Sequence, residues 1–287
     1  MTFLYSYLII AEIYSLAAMS TNLLIGVTGI FSISQGAIFG IGAYTVALIT
    51  LHDSALFPVA LLAAIVLCSL TNVAMALPSL RISGDYFVVT SLGMQFVMTA
   101  VFMNLPGITG GASGLPGVPP PVLFGVEFDE PQSFIALSTA ALLASMVCYW
   151  LVMRSPFGRL INAVREDELA VSAAGKNVLT AKVGVAALSG MFVGIGGGLF
   201  AAFFSFIDPS SCDIDASFLL LTMFVVGGAR TLAGCLIGPA LLMALPQALS
   251  LMPIPSSAAG PLRQIIYGAL LITFMLFRPQ GIAGQKL

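Results

Sequence analysis

The densest polar chemistry in this chain lies in one stretch, residues 154–182. Arg154, Arg159, Arg165, Lys176 and Lys182 are interleaved there with the acidic trio Glu166, Asp167 and Glu168. Gly175-Lys176-Asn177 has part of a phosphate-loop signature, but Ala170 stands where the earlier glycine belongs and no Ser or Thr follows the lysine. Gly194-Ile195-Gly196-Gly197-Gly198-Leu199 has part of a dinucleotide fingerprint, but Leu199 replaces the third glycine and the run is embedded in apolar sequence. Neither segment makes a nucleotide site, so any ATP used must be bound by another subunit. A single histidine, His52, rules out a multi-histidine metal centre. No G-x-S-x-G elbow is present, and no pair of carboxylates falls inside the apolar runs. The expectation is a chain with no catalytic residues, no metal and no cofactor of its own.

The remaining polar residues are few and lie within otherwise apolar sequence. Ser32, Ser34 and Gln35 sit beside glycines, and Thr90, Ser91 and Gln95 form a second group. Ser34, Gln35, Thr90 and Gln95 are the candidates to line a pathway for a zwitterionic solute. The same side chains serve equally as hydrogen-bonding glue between membrane helices. Glu12 is a lone carboxylate in the first apolar run, where burial of a charge costs roughly 2.5–3.5 kcal/mol. It reads either as a functional group or as a residue near the outer boundary facing a subunit interface.

The elements that position these residues follow from composition. Charged residues are 8% of the chain and hydrophobic residues 59%, with a mean hydropathy of +1.07. Soluble domains carry about 25% charged residues, and 287 residues cannot hide this much apolar surface in a water-soluble fold. A bilayer accepts it. The net charge of −2 offers no basic face for nucleic acid. Cys68, Cys148, Cys212 and Cys235 form no C-x-x-C pair and read as buried thiols. Met1–Ala11 lacks a basic leading region, so it reads as part of the first span and not as a signal peptide.

A helix needs roughly 20 apolar residues to cross ~30 Å of hydrocarbon. Charge-free stretches predict spans near 3–25, 29–50, 56–77, 86–105, 133–153, 183–206, 216–229, 235–252 and 262–278. The seventh is short enough to be a half-helix. The fold expected is therefore all-α, a polytopic membrane bundle of about 8–9 spans in a single domain, 1–287. Pro106 to Pro121, rich in Gly and Pro, should form a long loop. Gly36/Gly40, Gly190/Gly194 and Gly234/Gly238 repeat at the four-residue spacing that lets membrane helices approach closely. Within 154–182, Leu160 to Ala174 predicts one helix of about four turns ended by Gly175, longer than a connection between spans requires. A helix of this kind suits contact with a partner. The positive-inside rule places it in the cytoplasm, with Arg81, Arg230, Arg278 and Lys286 on the same side and only Arg263 opposite. The C-terminus is then cytoplasmic and, with nine spans, the N-terminus periplasmic.

The segment Arg165-Glu166-Asp167-Glu168, followed by Ala173-Ala174-Gly175-Lys176-Asn177-Val178 and Lys182, resembles the loop through which permeases of ATP-binding-cassette importers meet their ATPase. It is nearest the form found in branched-chain amino acid permeases. Gly29 to Tyr44 resembles the early glycine-rich segment of that family. Leu80-Arg81-Ile82-Ser83-Gly84 through Thr90 resembles the segment opening a later span in LivM-type subunits. Thr109-Gly110-Gly111-Ala112-Ser113-Gly114-Leu115 and Arg278-Pro279-Gln280-Gly281 also match. These segments touch most of the chain in family order, and the likeness is closer to LivM than to LivH. Ser91 and Met94 depart from the small or apolar residues usual after Thr90.

The resemblance implies a bacterial inner-membrane permease paired with a second, LivH-type permease. Two ATP-binding subunits would sit beneath the pair, and a periplasmic substrate-binding protein would deliver the solute. Arg165, Glu168, Ala174 and Gly175 would then carry the ATPase contact. The implied cargo is a small polar solute, branched-chain amino acids foremost. The competing reading is a stand-alone secondary transporter or channel, which usually buries ionisable residues in several spans; here only Glu12 is of that kind.

Overall fold

A computed structural model describes residues 2–80, 84–123, 125–250, 256–277 and 280–284. Arg81, Arg278 and Lys286, which entered the charge count, lie outside these residues, as does the side chain of Arg263. The helices are α1 (Thr2–Thr21), continued by a π-helical turn (Asn22–Val27), α2 (Gln35–Thr50), α3 (Phe57–Ala76), α4 (Gly84–Asn104), the single turn α5 (Pro106–Thr109), α6 (Pro131–Arg154), α7 (Pro156–Glu166), α8 (Glu168–Ala173), α9 (Val178–Phe204), α10 (Ile214–Gly227), α11 (Leu232–Ser250) and α12 (Ser256–Phe277). Among the described residues, helices fall on all nine expected segments. Five of the spans are long and apolar enough to cross a membrane, and those at α2, α10, α11 and α12 are shorter apolar helices. The chain is an all-α membrane bundle.

Among the described residues, strand is confined to the loop between α4 and α6 and to one short piece after α9. Leu115–Pro116 (β1) pairs antiparallel with Phe206–Ile207 (β4), and Val122–Leu123 (β2) with Val126–Glu127 (β3).

The core is built around α9, which packs against α1, α2 and α3. Its glycines make that possible. A Cβ at Gly190 would stand 2.4 Å from the Cys68 carbonyl oxygen of α3, and one at Gly197 would stand 2.2 Å from the Phe39 carbonyl oxygen of α2. Helices gain little in lipid from hiding apolar side chains, so backbone approach of this kind is the main source of association. The run Gly194–Gly198 thus lies inside a buried helix, far from any strand-to-helix turn.

Two expectations are corrected and a third is met. The second span was expected from residue 29, but α2 starts at Gln35. Gly29 takes a left-handed φ of +75°, which ends the preceding helical segment, and residues 29–34 form no helix. Irregular backbone of this sort is tolerated at membrane depth only when protein surrounds it, and residues 30, 32 and 34 are buried. The helix expected over Leu160 to Ala174 is two helices. Asp167 between them is extended (φ −155°), and its carboxylate accepts the N–H groups of Leu169 and Ala170 at 2.9 and 3.0 Å. Capping by a side chain here outweighs the good helix propensity on both sides. Helix α10 is 14 residues, or about 21 Å, which makes it the half-length element that the short seventh segment implied.

Candidate functional site

Two polar assemblies stand out within the bundle. The first surrounds the start of α2. The opening N–H groups of a helix have no partner within it, and here they are met by side chains from other helices. Gly36 N–H donates to Ser217 Oγ at 2.9 Å and Ala37 N–H to Gln95 Oε1 at 2.8 Å. Ser217 donates to the same Gln95 oxygen, and the Gln95 amide donates to the Cys212 carbonyl. Ser20 donates to Gln35 Oε1, while Asn72 donates to Ser189 Oγ. Helices α1, α2, α3, α4, α9 and α10 are joined by these bonds.

Of the pathway candidates, Ser34, Gln35 and Gln95 are buried in this assembly. Thr90 is not part of it. It is exposed on α4, and its hydroxyl returns to the Tyr86 carbonyl. Ser91, four residues before Gln95, takes the inward place and accepts the Ile33 N–H at 3.0 Å. The sequence reading missed Ser20, Asn72, Ser189 and Ser217. Asn72 had a usable signal, as a lone amide in a charge-free run. The assembly lines none of the described cavities, and its hydrogen bonds meet the opening N–H groups of α2. Glu12 belongs to neither assembly. It accepts the hydroxyls of Ser138 and Thr139 of α6 at 2.5 and 2.7 Å. Each of its two carboxyl oxygens thus has a hydroxyl partner from α6.

The second assembly is the 154–182 segment and what it touches. Ser155 caps α7, Pro156 stands in its first turn, and Gly158, Ile161 and Val164 face inward. Arg165 follows Ile161 by four residues and so falls on that same face. Its guanidinium reaches into the bundle and donates to the Gly26 carbonyl in the π-helical turn. Burial, and then the like charge of Arg230, lower its pKa from the ordinary value, though an arginine stays charged regardless. Arg230 donates to Asn162 Oδ1 of α7 at 2.7 Å, and its own N–H is accepted by Asn22 Oδ1 at 2.9 Å. Asn22 in turn donates to the Thr231 carbonyl at 3.1 Å. Two bonds thus tie α7 to the π-helical turn and to the α10–α11 connection. Asn22, Asn162 and Arg230 were absent from the sequence candidates.

Beyond Asp167 the surface is open. Residues 166–177 are exposed apart from Val171, and Leu169 keeps 81% of its surface free. Helix α8 ends as Gly175 predicted. Gly175 has φ +75°, its N–H donates to the Ser172 carbonyl, and Lys176 N–H donates to the Val171 carbonyl. That is a Schellman stop. Glu168 pairs with the buried Lys182 at 2.5 Å, and Asn177 caps α9 through the Thr180 N–H. Of the coupling candidates, Glu168, Ala174 and Gly175 lie on this exposed ledge, and Arg165 points away from it.

No solved structure matches the chain. Three curated relatives do. It is 27% identical over 293 residues to the high-affinity branched-chain amino acid transport system permease protein LivM of Escherichia coli (strain K12), covering 94% of this chain and 67% of that one. The protein of the same description from Salmonella typhimurium gives the same figures. The probable branched-chain amino acid transport permease protein LivM of Methanocaldococcus jannaschii is 22% identical over 221 residues, covering 73% of this chain and 63% of that one. The family model described as the permease component of the branched-chain amino acid transport system matches residues 3–275. With that match spanning nearly all of a bundle whose helices suit a membrane, the chain belongs to the branched-chain amino acid transport permease family.

Proposed function

We propose that this chain is the LivM-type permease of an ATP-binding-cassette importer in a bacterial inner membrane, moving branched-chain amino acids inward. Two ATP-binding subunits meet the α7–α8 ledge on the cytoplasmic side. A second, LivH-type permease completes the route, and a periplasmic binding protein delivers the solute. ATP is bound and hydrolysed only on the partner subunits. The C-terminus is cytoplasmic and the N-terminus periplasmic.

One observation carries this reading. The exposed ledge is tied to the interior by α7, through Arg165 to Gly26 and Asn162 to Arg230, and by the Glu168–Lys182 ion pair to α9. α8 is held at both ends by its own caps, so a push on it is passed on and not absorbed by bending. α7 then transmits the push to the π-helical turn. Such turns are soft, local defects that often mark functional positions. Leu169, flanked by Ala170, Ala173 and Ala174, offers a small apolar knob of the sort a groove on a partner would take.

The test is recovery of ATPase subunits with the tagged chain from its native membrane in mild detergent. The wild type should bring both. A double variant, Glu168→Ala with Gly175→Leu, should bring down less than about a tenth as much. It strands the buried Lys182 and forces a side chain into a left-handed backbone that costs roughly 1–2 kcal/mol. Equal recovery from a folded double variant would refute the docking assignment. Recovery of no ATPase with the folded wild type would refute the importer reading.

A further inference from the structure

Helices α10 and α12 leave a cleft of about 550 Å³ between them. Its walls are apolar, with Phe218 and Leu219 on one side and Leu271 and Ile272 on the other. At its rim stands Asp215, in the first turn of α10, accepting the Gln264 amide at 2.5 Å. Among the described residues no cation pairs with this carboxylate. A second cavity, about 250 Å³, lies further along the same two helices, between Phe224 and Val225 of α10, Met275 of α12, Phe31 and Arg165. The second follows the first in residue order along both helices. Leu219 and Thr222 line the first and Phe224 and Val225 the second, one turn on; Leu271 and Met275 are four apart. Ile25, Leu221 and Phe224 form a small buried cluster with Phe31 and Leu271 packed on it; Ile25, Phe31 and Phe224 line the second cavity, and Leu271 the first.

The features make one arrangement: a cleft with a carboxylate, an apolar plug, and a cavity with a guanidinium. Ile25 of the plug is the residue before Gly26, the carbonyl that Arg165 holds. We propose that the α10–α12 face is this subunit's solute route and that the cleft binds an amino acid with an apolar side chain, its ammonium group on Asp215. The inference rests on the importer reading above and deepens it. A zwitterion with a hydrocarbon side chain matches each part. The carboxylate of Asp215 attracts its ammonium group, the apolar walls accept its side chain, and Arg165 beyond the plug attracts its carboxylate. The polar side chains Ser34, Gln35 and Gln95 then frame the route from behind without lining it.

The experiment uses the assembled importer in membrane vesicles, with L-leucine as the probe. Binding to the cleft is read by labelling Leu219→Cys with a small cationic thiol reagent. L-Leucine should slow the labelling, while 4-methylpentanoate, which lacks the ammonium group, should not. Asp215→Asn should lower leucine uptake about tenfold or more, as loss of a charged hydrogen bond implies, and should abolish the protection. Asp215→Glu should restore part of both. Co-purification of the ATPase subunits certifies that each variant is folded and assembled. Unchanged uptake and protection in Asp215→Asn would overturn the proposal. So would a Leu219→Cys that reacts in the isolated chain but not in the complex, since the partner permease would then fill the cleft. Failure of the wild-type complex to take up leucine would instead count against the importer reading itself.

Discussion

Arg165→Ala is expected to reduce solute uptake by about 5- to 150-fold while leaving the ATPase subunits bound and hydrolysing ATP. The range follows from energies of coupling between sites, typically 1–3 kcal/mol. One charge-assisted hydrogen bond, worth about 1.5–3 kcal/mol, is the size of link that could carry such coupling. Arg165 supplies that bond between α7 and the Gly26 carbonyl. Alanine removes it without touching the exposed ledge of Glu168, Leu169, Ala174 and Gly175. The expected phenotype is therefore uncoupling and not disassembly. Arg165→Lys keeps the charge but loses the planar fork of donors, so it should recover only part of the uptake. Uptake and ATP hydrolysis measured together on the same vesicles decide the matter. A variant that loses both in proportion, or that loses its ATPase, would show Arg165 to be a docking residue. One that transports normally would remove it from the mechanism.

The contrast between Arg165 and its neighbours also shows what the sequence could yield. Among the described residues, hydropathy placed all nine apolar helices, because a bilayer imposes a length and an apolar composition that few other environments demand. The glycines of α9 were legible as packing residues for the same reason. Capping was harder to see. Leu160 to Ala174 has good helix formers throughout, and only the local competition of the Asp167 carboxylate for two N–H groups breaks it. The direction of Arg165 was in fact written in the spacing Gly158, Ile161, Arg165, which is one face of a helix. The motif resemblance drew the eye to the charge and away from the face. Thr90 and Ser91 repeat the lesson. Ser91 is four residues from Gln95 and shares its face, while Thr90 is five away and looks outward. The route along α10 and α12 was not legible at all. It is made by segments distant in sequence, with Asp215 of α10 and Gln264 of α12 brought together only at its rim.

Gly197→Leu should eliminate folded protein altogether. Its Cβ would lie 2.2 Å from the Phe39 carbonyl oxygen and 3.0 Å from the Ala43 nitrogen. Both are backbone atoms of α2, so no rotamer change relieves the clash, and α9 must move away from α2. The displacement cannot stay local. Gly190 on the same helix is pressed against the Cys68 and Ser69 backbone of α3, and Gly196 stands 3.1 Å from the Ile13 carbonyl of α1 by the same measure. Overpacking of side chains costs typically 1–3 kcal/mol. Separating α9 from three helices also forfeits the contacts that hold a membrane bundle together, against a total stability of only about 5–15 kcal/mol. Gly93→Leu is the matched control. It inserts the same side chain into α4 at a position with nothing within 4 Å of the new Cβ. The two variants should therefore part company in a detergent extract analysed by size exclusion: Gly93→Leu as a sharp peak at the wild-type position, Gly197→Leu in the void or absent. A monodisperse Gly197→Leu with the wild-type thermal midpoint would mean that α2 and α9 do not meet as closely as their glycines require.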